Sequence, residues 1–449
     1  MTIDWCEHPI HRLATAIETR VVSVQEVVDA TLARIGDRDP SLGAFTTVFE
    51  ESARADAERT DRAIAAGRYR GPLHGVPVSI KDLIDVAGVP TTAASRVTGH
   101  SPAAADAPVV ARLRAAGAIL VGKCNLHEFA FGTTGEDSSF GPTRHPLDPD
   151  RSPGGSSSGS AVSVATGMAF ASLGTDTGGS VRIPAAACGL VGLKPTFGDV
   201  SCDGVVPLAP SLDHVGPLTR CVRDARVLYH TIRDDQVGQS AATIGPTRKL
   251  GCPRPYFLER LDDEVRDGFE RALTRLTDAD WTVEDAPVHY APDAATIYLH
   301  LVLAEAAAVH AVTLERQPQD YTPSVRLRLE LGRYVMAEDY ARAQQGRAVL
   351  ARAVDAALAE HDALVLPGLA IPAPRLGVAE VNVGGVAESV RSITLRLTQP
   401  FSTTGHPAVS IPCGRTKSGL PCGLQLVGHR HQTDNLLDVA EAVETALAG

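Results

Sequence analysis

Residues 154–184 read GGSSSGSAVSVATGMAFASLGTDTGGSVRIP, and the reading of the whole chain turns on them. The stretch opens on a glycine–serine turn, passes through small residues that suit a tightly packed helix, and closes on a second glycine-rich turn ending in Ser180. Gly178 and Gly179 stand just before that serine, and glycine reaches the φ > 0 geometry that lets successive backbone N–H groups converge on one point. Converging N–H donors beside a serine are the parts of an oxyanion-binding hydrolase site. Ser180 is therefore the candidate nucleophile. A tight turn between a strand and a helix is the alternative reading of the same residues.

A serine attacks a carbonyl only when a base takes its proton. Lys81 is the candidate base, because it follows Val76–Ile80 (VPVSI), an apolar β-branched run that predicts a buried strand, and precedes Leu83 and Ile84. Keeping a lysine largely neutral at roughly pH 7.5 costs about 4 kcal/mol, which burial can supply. Asp82 is adjacent, but neighbouring strand residues point to opposite faces, so it need not hold Lys81 charged. Ser156, in the first turn, could pass a proton from Ser180 to Lys81. Ser157 beside it, and Asp176 and Arg182 around the second turn, are expected to support the site. An Asp176–Arg182 pair would either hold the loop or be a surface salt bridge.

Outward from this core, residues 1–70 read as N-terminal helices. Ser23 with Glu26 predicts a capping box, Val24, Val27, Val28, Leu32 and Ile35 a buried face, and Gly36 a stop. Strands are predicted at Ala118–Val121, Ala363–Pro367, Ala408–Ile411 and Gly423–Val427, with a helix over 106–116 and a closing helix from about Asp434. This alternation of strands with helices predicts an α/β fold. Residues 71–234 form the core, 235–360 a helical insertion that shapes the substrate pocket, and 361–449 a return to the core. The expectation is one domain over 1–449.

Composition excludes several classes. The 449 residues carry a formal net charge of −11 and only 4% aromatics, against a nucleic-acid surface, which needs clustered Lys and Arg. Eight scattered cysteines without a C-x-x-C pair read as reduced thiols, and no targeting segment is visible, so the expectation is a cytoplasmic protein with no membrane partner. No H-E-x-x-H occurs, and Asp213-His214 and His429-Arg-His431 lack an acidic partner placed for zinc, so neither metal nor cofactor is expected. Gly155–Gly159 matches G-x-S-x-G, which would make Ser157 a nucleophile. That motif needs a preceding strand, and the lead-in His145–Pro153 cannot be one.

The motif at 154–184 resembles the amidase signature, and further segments agree with that family: Gly75–Asp82 (GVPVSIKD), Val121–Asn125 (VGKCN), Phe140–Arg144 (FGPTR), Cys188–Thr196 (CGLVGLKPT), Ser211–Pro217 (SLDHVGP) and Gly423–Gly428 (GLQLVG). The separations, 24 residues from Ser156 to Ser180 and 75 from Lys81 to Ser156, are typical of it. The resemblance implies the amidase signature fold, a large mixed, mostly parallel sheet covered by helices on both faces. It implies a triad of Ser180, Ser156 on a cis peptide, and Lys81, with an oxyanion hole from the amides of Thr177, Gly178, Gly179 and Ser180. Pocket walls are expected from Ala130, Phe131, Gly132, Thr133 and Phe401 and from the insertion around Tyr321–Tyr340.

The activity implied is hydrolysis, through a serine acyl-enzyme, of small amides, anilides, carbamates (urethanes) or esters. A homodimer is compatible with it. The alternative inside the resemblance is the glutaminase component of a tRNA-dependent amidotransferase complex. That component carries an acidic residue where Leu395 stands here, and a tyrosine-rich segment where Ala337–Ala343 stands. The free-standing hydrolase is therefore the preferred expectation.

Overall fold

Eleven strands line up in one sheet in the computed structural model, which describes residues 3–97, 101–234 and 247–448. In chain order the strands are β1 (Phe45–Val48), β2 (Pro77–Lys81), β3 (Ile119–Cys124), β4 (Ala171–Thr175), β5 (Val191–Lys194), β6 (Val215–Thr219), β7 (Lys249–Cys252), β8 (Thr282–Asp285), β9 (Ala363–Pro367), β10 (Glu380–Val383), β11 (Val386–Ser389), β12 (Ala408–Arg415) and β13 (Pro421–Val427). The sheet order is β1-β3-β2-β4-β6-β5-β12-β13-β9-β7-β8, and β10 with β11 forms a separate hairpin. The sheet is mixed and helix-covered, as the resemblance implies. Its parallel pairings lie in two blocks, β3-β2-β4 and β9-β7-β8. The other pairings are antiparallel, and of these β12 and β13 are joined by the short hairpin Thr416–Leu420, a connection that only antiparallel neighbours allow.

Strands buried on both faces read as continuous apolar runs, and every residue of β2, β3, β4 and β9 is buried. The small-residue helix Ser158–Ala165 lies so close to its neighbours that a Cβ on Gly159 would sit 2.1 Å from the Ala44 carbonyl oxygen. It packs with helix Arg182–Cys188 on one side of the sheet, while Val222–Ile232, Asp263–Asp278 and Thr433–Ala448 cover the other. Leu436, Leu437, Val439, Val443 and Leu447 of the closing helix are all buried.

Two expectations are corrected. The helix Val24–Leu42 begins with the capping box of Ser23 and Glu26 but runs through Gly36 to end at Gly43, whose φ is +63°. An interior glycine costs about 1 kcal/mol, and burial of Ile35 and Leu42 on the same helix outweighs it. The segment 235–360, whose first residues to 246 lie outside the described residues, is not helical throughout: β7 and β8 extend the sheet. Their sequences, KLGC and TVED, are short and lack an apolar alternation that would announce a strand. The rest is helical, with Ala294–Val309 packed against Pro323–Gly332 and Ala337–Leu358.

Because β2 and β4 are parallel neighbours, their carboxyl ends bring Lys81 and Thr175 together at one edge. Side chains and loops at the carboxyl ends of parallel strands are the usual place for a site in such sheets.

Candidate active site

Lys81, the last residue of β2, has no exposed surface. Its Nζ lies 2.8 Å from Ser156 Oγ and 2.6 Å from Thr175 Oγ1. Burial lowers its pKa from 10.5 to about 7, against the pull of the Asp176 and Asp213 carboxylates. Asp82 points the other way, as strand alternation requires, and its carboxylate lies 3.0 Å from Lys123 Nζ and accepts from Thr46 and Thr92. The adjacent acid is thus occupied elsewhere.

The first turn brings Ser156 in on a cis peptide between Gly155 and Ser156. Gly155 is wedged against backbone: a Cβ there would lie 2.8 Å from the Gly135 nitrogen. Ser157, the G-x-S-x-G serine, donates its hydroxyl to the Thr175 carbonyl at 3.1 Å, and its N–H donates to the Ser180 carbonyl at 3.2 Å, tying the two serine turns together. Ser180 itself is 5% exposed, whereas Lys81 and Ser156 are fully buried, so Ser180 is the member nearest to solvent.

The second turn is held from three sides. Thr177 Oγ1 donates to Asp213 Oδ1 at 2.6 Å, Thr398 Oγ1 donates to the Gly178 carbonyl at 2.7 Å, and the backbone of Asp176 exchanges two hydrogen bonds with His214. Among the described residues, the N–H groups of Thr177, Gly178, Gly179 and Ser180 donate to no protein acceptor. Four consecutive unpaired donors in one turn are an arrangement that can bind negative charge. Gly179 has φ +142°, a conformation side chains rarely adopt, and a Cβ on it would meet Thr398 Oγ1 at 2.2 Å.

Asp176 and Arg182 are a buried pair, not a surface one. Both have no exposed side-chain surface, and they meet through two bonds, Nη2–Oδ1 at 2.9 Å and Nε–Oδ2 at 3.0 Å. Arg182 also donates to the Thr398 carbonyl, Gln425 Oε1 and Ser402 Oγ, so its donors are satisfied in the bidentate geometry that arginine favours. Burial pushes the Asp176 carboxyl up, but Arg182, Lys194 and His214 together outweigh it and hold the group well below the usual carboxylate range. Asp213 goes the other way: burial raises it to about 6 although Thr177 and the N–H groups of Leu208 and Ala209 bind it.

Sequence reasoning missed Thr175, Tyr298, Thr398, Ser402 and Asp213 as site residues. Thr175 directly precedes the Asp176 turn, and Asp213 lies in the SLDHVGP segment, so both carried a local signal. Thr398 and Ser402 are brought by the helix Gln399–Thr404 and the residue before it, more than 200 positions away in sequence. Of the expected pocket wall, Phe131 is buried beneath two guanidinium groups, and Thr133 Oγ1 accepts from Thr394 Oγ1 at 3.1 Å. Ala130 has φ +59°, and Gly132 packs on the His127 ring, which a Cβ would meet at 2.1 Å. Phe401 is a correction. It has no exposed surface and stacks on Phe257 at 5.7 Å, so it fills the core beneath the site. From the insertion, Tyr321 packs on Phe129 at 5.5 Å.

No helix among the described residues is long and apolar enough to cross a membrane. The family model Amidase matches residues 26–437. An amidase from Pseudomonas putida is 40% identical over 91% of this chain and 90% of its own length. A glutamyl-tRNA(Gln) amidotransferase subunit from Lachnospira eligens is 34% identical, covering 97% of both chains. A solved amidase structure superposes with a TM-score of 0.92 at 37% identity, over 98% of this chain and 99% of that one. The chain belongs to the amidase family, as a hydrolase acting on amide bonds.

Proposed function

We propose that the amide is cleaved in two steps through an acyl-enzyme on Ser180. Ser180 Oγ attacks the carbonyl carbon as Ser156 takes its proton and passes its own to the neutral amine of Lys81. The oxyanion forms against the free N–H groups of residues 177–180, and the same relay then delivers a proton to the departing amine. Water attacks the ester in the reverse sense, and Ser180 is regenerated. The observation that carries the reading is a fully buried Lys81 amine 2.8 Å from Ser156 Oγ, with its pKa brought to about 7. Such an amine is half neutral near physiological pH, where a base is most effective.

The substrates proposed are small amides and anilides, with carbamates and esters open to the same acyl chemistry. The amidotransferase reading has less support: Leu395, buried and apolar, packs beside Gly178 at the position where that reading needs a carboxylate for an ammonium group. The purified chain alone is expected to hydrolyse a small anilide, with Ser180→Ala lowering kcat by about 10³ or more. Turnover that survives in Ser180→Ala, or glutaminase activity that needs partner subunits, would overturn it.

A further inference from the structure

The amine of Lys81 is hydrogen-bonded, among the described residues, to two hydroxyls and to no carboxylate. Ser156 Oγ lies 2.8 Å from its Nζ and Thr175 Oγ1 2.6 Å. The acids that face it are occupied elsewhere: Asp176 by Arg182, and Asp213 by Thr177 and the N–H groups of Leu208 and Ala209. Asp82, on the other side of the strand, is paired with Lys123. Ser156 is the relay through which the proton travels. Thr175 is the nearer of the two hydroxyls, and the relay makes no use of it.

A neutral amine carries two N–H donors and one lone pair, and only the lone pair can take the proton of Ser156. A hydroxyl can give or accept a hydrogen bond. When Thr175 accepts an N–H, the lone pair is left to face Ser156; were Thr175 the donor, it would occupy the lone pair and the relay would have no end. Once the proton has arrived, Lys81 is a buried ammonium, and an acceptor at 2.6 Å gives one of its N–H groups a charge-assisted bond, stronger than a neutral one. Thr175 is well placed for this task. It is the buried last residue of β4, and Ser157 Oγ grips its backbone twice, accepting from its N–H at 3.3 Å and donating to its carbonyl at 3.1 Å. Its β-branched side chain has few rotamers to choose from. Lys81 is the one hydrogen-bond partner of Thr175 Oγ1 among the described residues, so the hydroxyl makes no structural bond that would account for it.

We propose that Thr175 is a positioning residue for the base: its hydroxyl accepts an N–H of Lys81, turns the lone pair of the amine toward Ser156, and holds the ammonium that then forms. The proposal rests on the acyl-enzyme reading above and deepens it. The sign of its effect on titration follows from the chemistry. An acceptor stabilises the charged amine more than the neutral one, so its removal favours the neutral form and moves the acid limb of the pH profile to lower pH. The rate falls at the same time, because the lone pair is no longer aimed. A slower enzyme whose acid limb moves down is a combination that a loosened fold does not produce.

Two variants test it. Thr175→Val keeps the size and branching and removes the hydroxyl, at a strand position that suits valine; Thr175→Ser keeps the hydroxyl. On a small neutral anilide, Thr175→Val is expected to lower kcat by about tenfold or more, with KM within about threefold of the parent, and to move the acid limb of kcat/KM down by about one pH unit. Thr175→Ser should bring both back close to the parent. The pH dependence of Ser180 labelling by a fluorophosphonate, which reads the base with no amine to expel, should show the same displacement. The position of the limb does not depend on how much of a variant folds, so it reports on the base even in a less stable protein. Parent kcat, a rise in kcat, or an unmoved limb in Thr175→Val overturns the role, as does a Thr175→Ser protein no better than Thr175→Val. Hydrolysis abolished in Ser180→Ala but indifferent to Thr175→Val would discard this role and leave the acyl-enzyme reading standing.

Discussion

At the scale of the residue, Lys81 carries two separable consequences. Its neutral form dominates above about pH 7, so kcat/KM for a neutral anilide is expected to rise with pH through that value and then level; a profile flat between pH 6 and 8 would exclude the amine as base. The same burial affects stability with a definite sign. The unfolded chain holds the proton up to its ordinary 10.5 and the folded chain only to about 7, so the unfolded state binds more protons across that window. Folding is therefore penalised by about 5 kcal/mol below pH 7, and the penalty fades as pH rises toward 10.5. Lys81→Met should melt at a higher temperature than the parent below pH 7, with the gap shrinking toward pH 10. A constant gap would mean that the effect lies in packing and not in charge. The strand alternation that turns Lys81 and Asp82 to opposite sides was legible in VPVSIKD, because the period of a strand is fixed by the backbone.

At the scale of the element, the turn from Asp176 to Ser180 depends on glycine at one position above all. Alanine at 179 would have to hold φ near +142° and would drive its methyl group into Thr398 Oγ1. The strand-side hydrogen bonds of Asp176 and the Thr398 bond to Gly178 prevent the turn from relaxing freely. Gly179→Ala is expected to lower kcat by about 10²–10³, the loss typical of a displaced oxyanion donor, and to destabilise the fold by about 1–3 kcal/mol. Circular dichroism melting and steady-state kinetics on one preparation check both. The turn was readable from Gly-Gly-Ser. What pins it was not, since Thr398 and Ser402 reach it from the start of a helix, TQPFSTT with its cap, that gives no chemical hint of that task. Their role follows from the crossing of distant segments and leaves no local pattern. The strands β7 and β8 at one end of the sheet were hidden for a related reason: they are held by their neighbours in the sheet and not by any apolar alternation of their own.

At the scale of the whole molecule, the sheet runs unbroken from β1 to β8, which predicts cooperative loss of structure. The two tryptophans offer a direct measure, for Trp5 lies near the start of the chain and Trp281 just ahead of β8 at the far edge of the sheet. Urea unfolding followed by fluorescence in Trp5→Phe and in Trp281→Phe should give the same midpoint. Two midpoints would divide the chain into units and contradict a single domain. The α/β class and the strands β2, β3, β9, β12 and β13 were plain in the sequence because they are apolar runs, whereas β4, β5 and β6 at the middle of the sheet, broken by glycine, serine or proline, were not. The antiparallel joins between the parallel blocks were not, since strand order is a property of how segments meet.

The chain departs from β8 at Asp285 and re-enters the sheet at Ala363 of β9, and β7 separates these two strands in the sheet. Everything between is a closed excursion whose ends are clamped a strand apart. Such a stretch is a natural cassette for evolution to exchange: residues 286–362 can drift or be grafted to recognise a new molecule while the bond-breaking machinery, built on other strands, keeps its alignment.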